Sequence, residues 1–120
     1  MQNAAPLILI VEDDLLVRMV AAAALEDAGY SVLEADCALE ALEVLAGRSG
    51  VSVLFTDINM PGMNGLQLAR VASERHPGLM VLLTSGYEQP SAEDIPPRGR
   101  FLPKPYLPEQ MTAVVSALAA

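Results

Sequence analysis

Leu7-Ile8-Leu9-Ile10-Val11 runs directly into Glu12-Asp13-Asp14, five apolar side chains followed by three carboxylates. An unbroken apolar run of that length is the pattern of a strand covered on both faces, as in a parallel sheet between two layers of helices. In such a sheet ligands bind beyond the carboxyl ends of the strands, where strand order reverses. The three acids stand at one of those ends.

The same alternation continues outward from this stretch. Leu16, Met19, Val20, Ala23 and Ala24 follow the spacing of one helical face, and Gly29 ends that helix as the residue past its cap. Ser31–Ala35 is a second, weaker strand, after which Asp36 is expected to cap a helix whose face is Ala38, Ala41, Leu42 and Leu45. Residues 51–56 form a third strand. Pro61-Gly62 breaks the chain, Asn64 caps a helix over Gly65–Arg75, and His76-Pro77 ends it. Residues 79–83 are a fourth buried strand. Between 89 and 100 stand Pro90, Pro96, Pro97 and Gly99, which limit any helix there to a turn or two. Phe101-Leu102 is a short fifth strand, and Pro108 opens a last helix with Met111, Val114, Val115 and Leu118 on one face. Five strand–helix units, the fourth with a shortened or irregular helix, predict an α/β fold with a doubly wound parallel sheet.

The chain has 120 residues, 52% hydrophobic, with 15 acidic and 7 basic side chains and a net charge of −8. That length suits one domain spanning 1–120, with a radius of gyration of about 14 Å. The charge disfavours direct nucleic-acid binding, since no basic cluster offsets it. Cys37 is the lone cysteine, which excludes a disulfide framework and cysteine-built metal sites. The longest apolar run, 19–25, is too short to span a membrane, which takes roughly 18 residues. The first six residues hold no basic segment of a signal peptide, so a soluble, cytoplasmic protein is expected.

Strand ends carry Glu12, Asp13 and Asp14; Asp57 and Asn59; Thr84 and Ser85; and Lys104-Pro105. With strand one beside strand three, Glu12, Asp13 and Asp57 converge. Two carboxylates about 4 Å apart repel by roughly 4 kcal/mol at an effective dielectric near 20, so the cluster calls for a hard divalent cation. Mg²⁺ fits best, since it binds through one or two carboxylates and leaves a position for a phosphate oxygen. With Lys104 and the Thr84 hydroxyl on the other phosphoryl oxygens, the set is that of phosphoryl transfer to a carboxylate.

At these residues the chain resembles a response-regulator receiver domain of two-component signalling, of the stand-alone, chemotaxis-regulator-like type. The matching stretches are ILIVEDD (8–14), LFTDINMPG (54–62), MNG (63–65), VLLTSG (81–86) and FLPKP (101–105). The resemblance implies the flavodoxin-like strand order 2-1-3-4-5. It implies that Asp57 is phosphorylated, taking its phosphoryl group from a histidine kinase or histidine phosphotransferase. Glu12 and Asp13, with Asp57 and the Asn59 carbonyl, would hold Mg²⁺, Asp13 more directly than Glu12. Thr84 matches the switch hydroxyl, Phe101 the aromatic that follows it, and Lys104 the phosphate-binding lysine before a cis Pro105. Tyr87 either shares the aromatic-switch role or packs on the shortened segment. Phosphorylation would shift the balance between two states and so switch contacts with a downstream protein. The chain would not be a turnover enzyme and would carry no output domain of its own; it departs from the family between Thr84 and Lys104, where a full fourth helix is usual.

Simpler roles stand beside these. The acidic run also favours the first helix dipole, by about 0.3–1 kcal/mol. His76 suits a helix C-terminus and Cys37 a small, partly buried site. A haloacid-dehalogenase-type phosphatase would need a second carboxylate where Asn59 stands. A flavin or nucleotide binder would need a glycine- or hydroxyl-rich loop where the acids stand. A pseudo-receiver that binds partners without phosphorylation, and a receiver cut from a hybrid kinase, are the remaining alternatives.

Overall fold

The computed structural model describes residues 5–87 and 89–120; residues 1–4, part of the segment read above as lacking a signal peptide, lie outside them. The elements are β1 (Leu7–Val11), α1 (Leu15–Asp27), β2 (Ser31–Ala35), α2 (Ala38–Gly47), β3 (Val51–Asp57), α3 (Gly65–Arg75), β4 (Met80–Ser85), a single 3-10 turn (Ala92–Asp94), β5 (Gly99–Pro103) and α4 (Pro108–Ala119). The five strands pair in parallel in the order β2-β1-β3-β4-β5, as expected. The order in which strands are added reverses at the β1/β3 junction, with β2 beyond β1 on one side and β4 beyond β3 on the other, so the polar residues that follow these two strands meet.

Every residue of β1 is buried, which is why its sequence shows no alternation. Its side chains nevertheless divide between two cores. Leu9 and Val11 join Leu54, Val81 and Leu83 under α2 and α3, whereas Ile8 and Ile10 join Val53, Phe55 and Leu82 under α1 and α4. The radius of gyration is 13.0 Å. Among the described residues no helix is long and apolar enough to cross a membrane.

Three details differ from the sequence expectation. The face of α1 toward the sheet is Ala21, Ala22 and Leu25, whereas Leu16 and Val20 are 71% and 58% exposed and Met19 is also exposed. Arg18 explains the rotation. Its guanidinium donates to the Glu12 carbonyl at 2.7 Å and pairs with Glu34 at 2.9 Å, so the stripe i, i+3, i+4, i+7 that begins at Arg18 turns inward. Alanines on that stripe let the helix lie close to the strands. Second, α2 is capped by Cys37, whose sulfur accepts the Glu40 N–H, while the Asp36 N–H donates to the Glu40 carboxylate at 2.9 Å. Helical geometry begins one residue later than expected, which moves the cap from Asp36. Third, β3, β4 and β5 run further than predicted and take Asp57, Thr84 and Ser85 into the ladder.

The prolines between 89 and 100 act as expected, leaving among the described residues only the turn Ala92–Asp94 in place of a full helix between β4 and β5.

Candidate functional site

Glu12, Asp57, Thr84 and Ser85 end or follow β1, β3 and β4 and are all buried, Glu12 at 6% and Asp57 at 7% exposure. Asp13 and Asn59 stand exposed above them. One carboxylate oxygen from each of Glu12, Asp13 and Asp57 lies within 4.8 Å of the others. Asp14 does not join this cluster; its carboxylate caps α1, accepting from the N–H groups of Leu16 and Val17.

Lys104 reaches in from beyond β5. Its ammonium donates to Glu12 Oε1 at 3.0 Å and lies 3.4 Å from Asp57 Oδ2. The Asp14 N–H donates to the other Glu12 oxygen at 3.1 Å. Burial nevertheless pushes the Glu12 carboxyl above the usual carboxylate range, against the downward pull of that amide and of Lys104. Burial pulls the Lys104 ammonium down, but the Glu12 hydrogen bond and the Asp57 and Glu12 charges outweigh it and hold the group above the ordinary lysine value. One lysine thus faces three converging carboxylates. An oxygen-only donor set with excess negative charge is what Mg²⁺ requires.

Thr84 stands opposite Asp57 in the β3–β4 register. Its hydroxyl is buried without a hydrogen-bond partner among the described residues. Such an orphan is costly and fits a group whose partner arrives with a ligand. Phe101 is half-buried against the α2/α3 core, whereas Tyr87 is 87% exposed. Tyr106 instead lies against Phe55, ring centroids 6.1 Å apart, and burial raises its phenol pKa. The Lys104–Pro105 bond is cis.

Two further residues organise the rim. Ser85 Oγ donates to Asn59 Oδ1 at 2.5 Å and accepts the Tyr87 N–H at 3.1 Å. Arg18 fixes the Glu12 backbone from α1. The only sequence signals for them were a hydroxyl beside Thr84 and one cation in an apolar helix. Gly65 opens α3 against β3, where an added Cβ would overlap the Asp57 carbonyl and stand 2.8 Å from Ile58 Cα.

Asp13 has the clearest electrostatic consequence. Asp13→Asn is expected to stabilise the metal-free protein by about 1 kcal/mol, a few degrees in Tm, by removing one of three clustered negative charges. It should also abolish most of the stabilisation that Mg²⁺ gives the wild type, which thermal unfolding with and without Mg²⁺ measures.

The sequence profile of the response regulator receiver domain matches residues 8–116. The chain is 36% identical over 115 residues to the sensor kinase CckA of Brucella abortus, covering 92% of this chain but only 12% of that protein. It is 38% identical over 102 residues to the response regulator receiver protein CpdR of the same organism, covering 82% of this chain and 84% of CpdR. The crystal structure of a response regulator receiver protein from Sinorhizobium medicae superposes with a TM-score of 0.86 at 28% identity, over 96% of this chain and 94% of the other.

Proposed function

The chain belongs to the response regulator receiver domain family, and on that premise we propose that Asp57 accepts a phosphoryl group from a phosphohistidine of a histidine kinase or histidine phosphotransferase. The observation that carries the assignment to Asp57 is its buried carboxylate at the end of β3, gathered with Glu12 and Asp13 and in reach of Lys104. An Asp57 oxygen attacks phosphorus, the P–N bond breaks, and its electron pair returns to the imidazole. The product is an aspartyl phosphate.

Glu12, Asp13, Asp57 and the Asn59 carbonyl would hold Mg²⁺, which when bound supplies positive charge against the phosphoryl oxygens. Lys104 meets those oxygens by exchanging part of its present pairing with Glu12 and Asp57. The Thr84 hydroxyl gains through the phosphoryl group the partner it lacks now. Its movement opens space beside Phe101, and the two arrangements differ in the surface offered to a downstream protein. Tyr87, already exposed, joins that surface. Residues 1–120 act as one receiver domain, not as a turnover enzyme, and the setting is the cytoplasm, where the kinase's phosphoryl group originates. The net charge argues against direct DNA contact.

The phosphodonor protein docks on the exposed side of α1. Leu16, Val17 and Val20 line an apolar groove of 660 Å³ whose other wall includes Gly86, Lys104 and Tyr106. Since Lys104 belongs to both groove and site, a helix lying there brings its histidine to Asp57. Val20→Glu should slow transfer from any phosphohistidine protein that phosphorylates the wild type by about tenfold or more. The rate with a small acyl-phosphate donor should not change.

The test of the assignment is intact-mass spectrometry after incubation with that small donor. One phosphoryl adduct is expected on the wild type with Mg²⁺, and none on Asp57→Asn or with EDTA. An adduct that survives Asp57→Asn would contradict the assignment; none on any chain would favour a partner-binding module that works without phosphorylation.

A further inference from the structure

The end of the sheet opposite Asp57 carries a second concentration of charge, of the other sign. A cleft of 1120 Å³ opens there between the C-terminal turns of α2, α3 and α4 and the starts of β3 and β4. Arg48 lines it from the α2–β3 loop, Arg75 from the last turn of α3, and Arg98 from the residue before β5. The chain has 15 acidic and 7 basic side chains, yet the cleft wall takes three of the basic ones and none of the acidic ones. β3 runs from the cleft at Val51 to the site at Asp57, which sets the two about 20 Å apart.

Part of that charge answers the fold. A helix C-terminus bears about half a negative charge, and three of them meet at the cleft. Three full positive charges exceed what those ends balance. All three arginines are exposed, and among the described residues none pairs with a carboxylate, that of Ala120 included. Their one side-chain hydrogen bond there is from Arg98 to the Met80 sulfur at 3.9 Å. Arg18 and Lys104, outside the cleft, are both paired. Gly47, Gly50 and Gly78 also line the wall, and a Cβ added at any of them would meet nothing within 4 Å. The backbone there lies open to a ligand.

We propose that this cleft is a second binding site, for a small molecule that carries a chain of phosphoryl groups held by Arg48, Arg75 and Arg98. A guanidinium presents paired N–H donors that match phosphate oxygens, and here three of them come from three separate elements to one concavity. The volume far exceeds one phosphate and suits a ligand of nucleotide size. No Phe or Tyr ring lines the wall, so the phosphates and not a stacked base carry recognition. A nucleic acid or an anionic membrane would press on the acidic surface as well, whereas a small ligand meets the cleft alone. The site does not depend on the reading of Asp57, and its test needs neither a phosphodonor nor Mg²⁺.

The experiment titrates the isotope-labelled chain with inorganic triphosphate and follows the backbone amides by NMR. EDTA is present throughout, so that the metal-free carboxylates keep phosphate away from Asp57. Inorganic phosphate, adenosine triphosphate and a polyglutamate peptide are titrated in parallel. Triphosphate should bind saturably and one to one, shifting amides in 45–52, 75–80 and at 98 but not in 12–14, 57–59 or 84–86. Inorganic phosphate should bind more weakly by about tenfold or more. Arg48→Gln, Arg75→Gln and Arg98→Gln should each weaken triphosphate binding about tenfold, and the triple variant should abolish it. Arg70→Gln and Arg100→Gln remove the same charge from exposed positions outside the cleft and should leave the affinity within about twofold of wild type. Equal affinity for triphosphate and adenosine triphosphate would assign the site to the phosphate chain alone, and tighter adenosine triphosphate to a nucleotide; both uphold the proposal. It is overturned by the absence of saturable binding at millimolar triphosphate, by shifts at the Asp57 rim instead, by equal losses in Arg70→Gln or Arg100→Gln, or by tighter binding of the polyglutamate peptide.

Discussion

Gly65→Ala is expected to lower the melting temperature by about 12 °C, corresponding to about 3 kcal/mol for a chain of this size. Propensity alone argues the other way, since alanine in a helix is favoured over glycine by about 1 kcal/mol. Contact decides the sign. Gly65 is buried at the first position of α3, and its N–H donates to the Ile58 carbonyl at 2.9 Å. A Cβ there would overlap the Asp57 carbonyl oxygen and lie 2.8 Å from both the Asp57 carbonyl carbon and Ile58 Cα. All three atoms are backbone and cannot rotate aside as a side chain would. Either α3 moves off the sheet or the end of β3 does, and the second displaces Asp57 itself. Gly47 supplies the control, because an added Cβ at that end of α2 meets nothing within 4 Å. Gly47→Ala should be neutral or slightly stabilising. Equal losses in the two variants, measured by thermal unfolding, would show that close approach of α3 to β3 is not what position 65 requires.

Lys104→Ala should destabilise the metal-free protein by about 2 kcal/mol, less than a fully buried pair would lose because the site opens to solvent. Lys104 is the cation in contact with both Glu12 and Asp57, and its loss leaves two buried carboxylates facing each other and Asp13. Mg²⁺ restores positive charge at the same place, so the difference from wild type should shrink when Mg²⁺ is added. The pH dependence has a definite sign. Folding raises the Lys104 pKa, so its contribution is fully present below the ordinary lysine value and is lost as pH rises through the raised one. Folding also raises the Glu12 carboxyl, so its repulsion fades as pH falls through that group's range. The gap between wild type and variant should be widest near neutral pH and close toward both extremes. A gap that is constant from acid to alkaline pH would mean that Lys104 contributes packing and not charge.

The strands and the place of Asp57 at the end of one of them were legible because the relevant signals are local. Five apolar residues in a row report burial on both faces, and Asp57 follows such a run directly. Prolines 90, 96 and 97 likewise announced the missing helix by their own geometry. The inward face of α1 was not legible, since two apolar stripes fit that helix equally well. The choice between them rests on Arg18 finding Glu34 and the Glu12 carbonyl, partners supplied by other elements. The Asn59–Ser85 bond spans 26 residues and exists only because β3 and β4 are neighbours. The α2 cap moved from Asp36 to Cys37 because Glu40 draws on the Asp36 amide, a competition that a rule for single residues does not contain.

The most direct measurement is to trap the acyl phosphate. Wild-type protein is phosphorylated with a small donor and Mg²⁺, reduced with borohydride, digested and sequenced by tandem mass spectrometry. The account predicts that aspartate is converted to homoserine at position 57 and nowhere else, only when Mg²⁺ was present. Reduction at Asp13 or Glu12 instead, or a phosphoryl group carried on a serine or threonine that borohydride leaves intact, would contradict it.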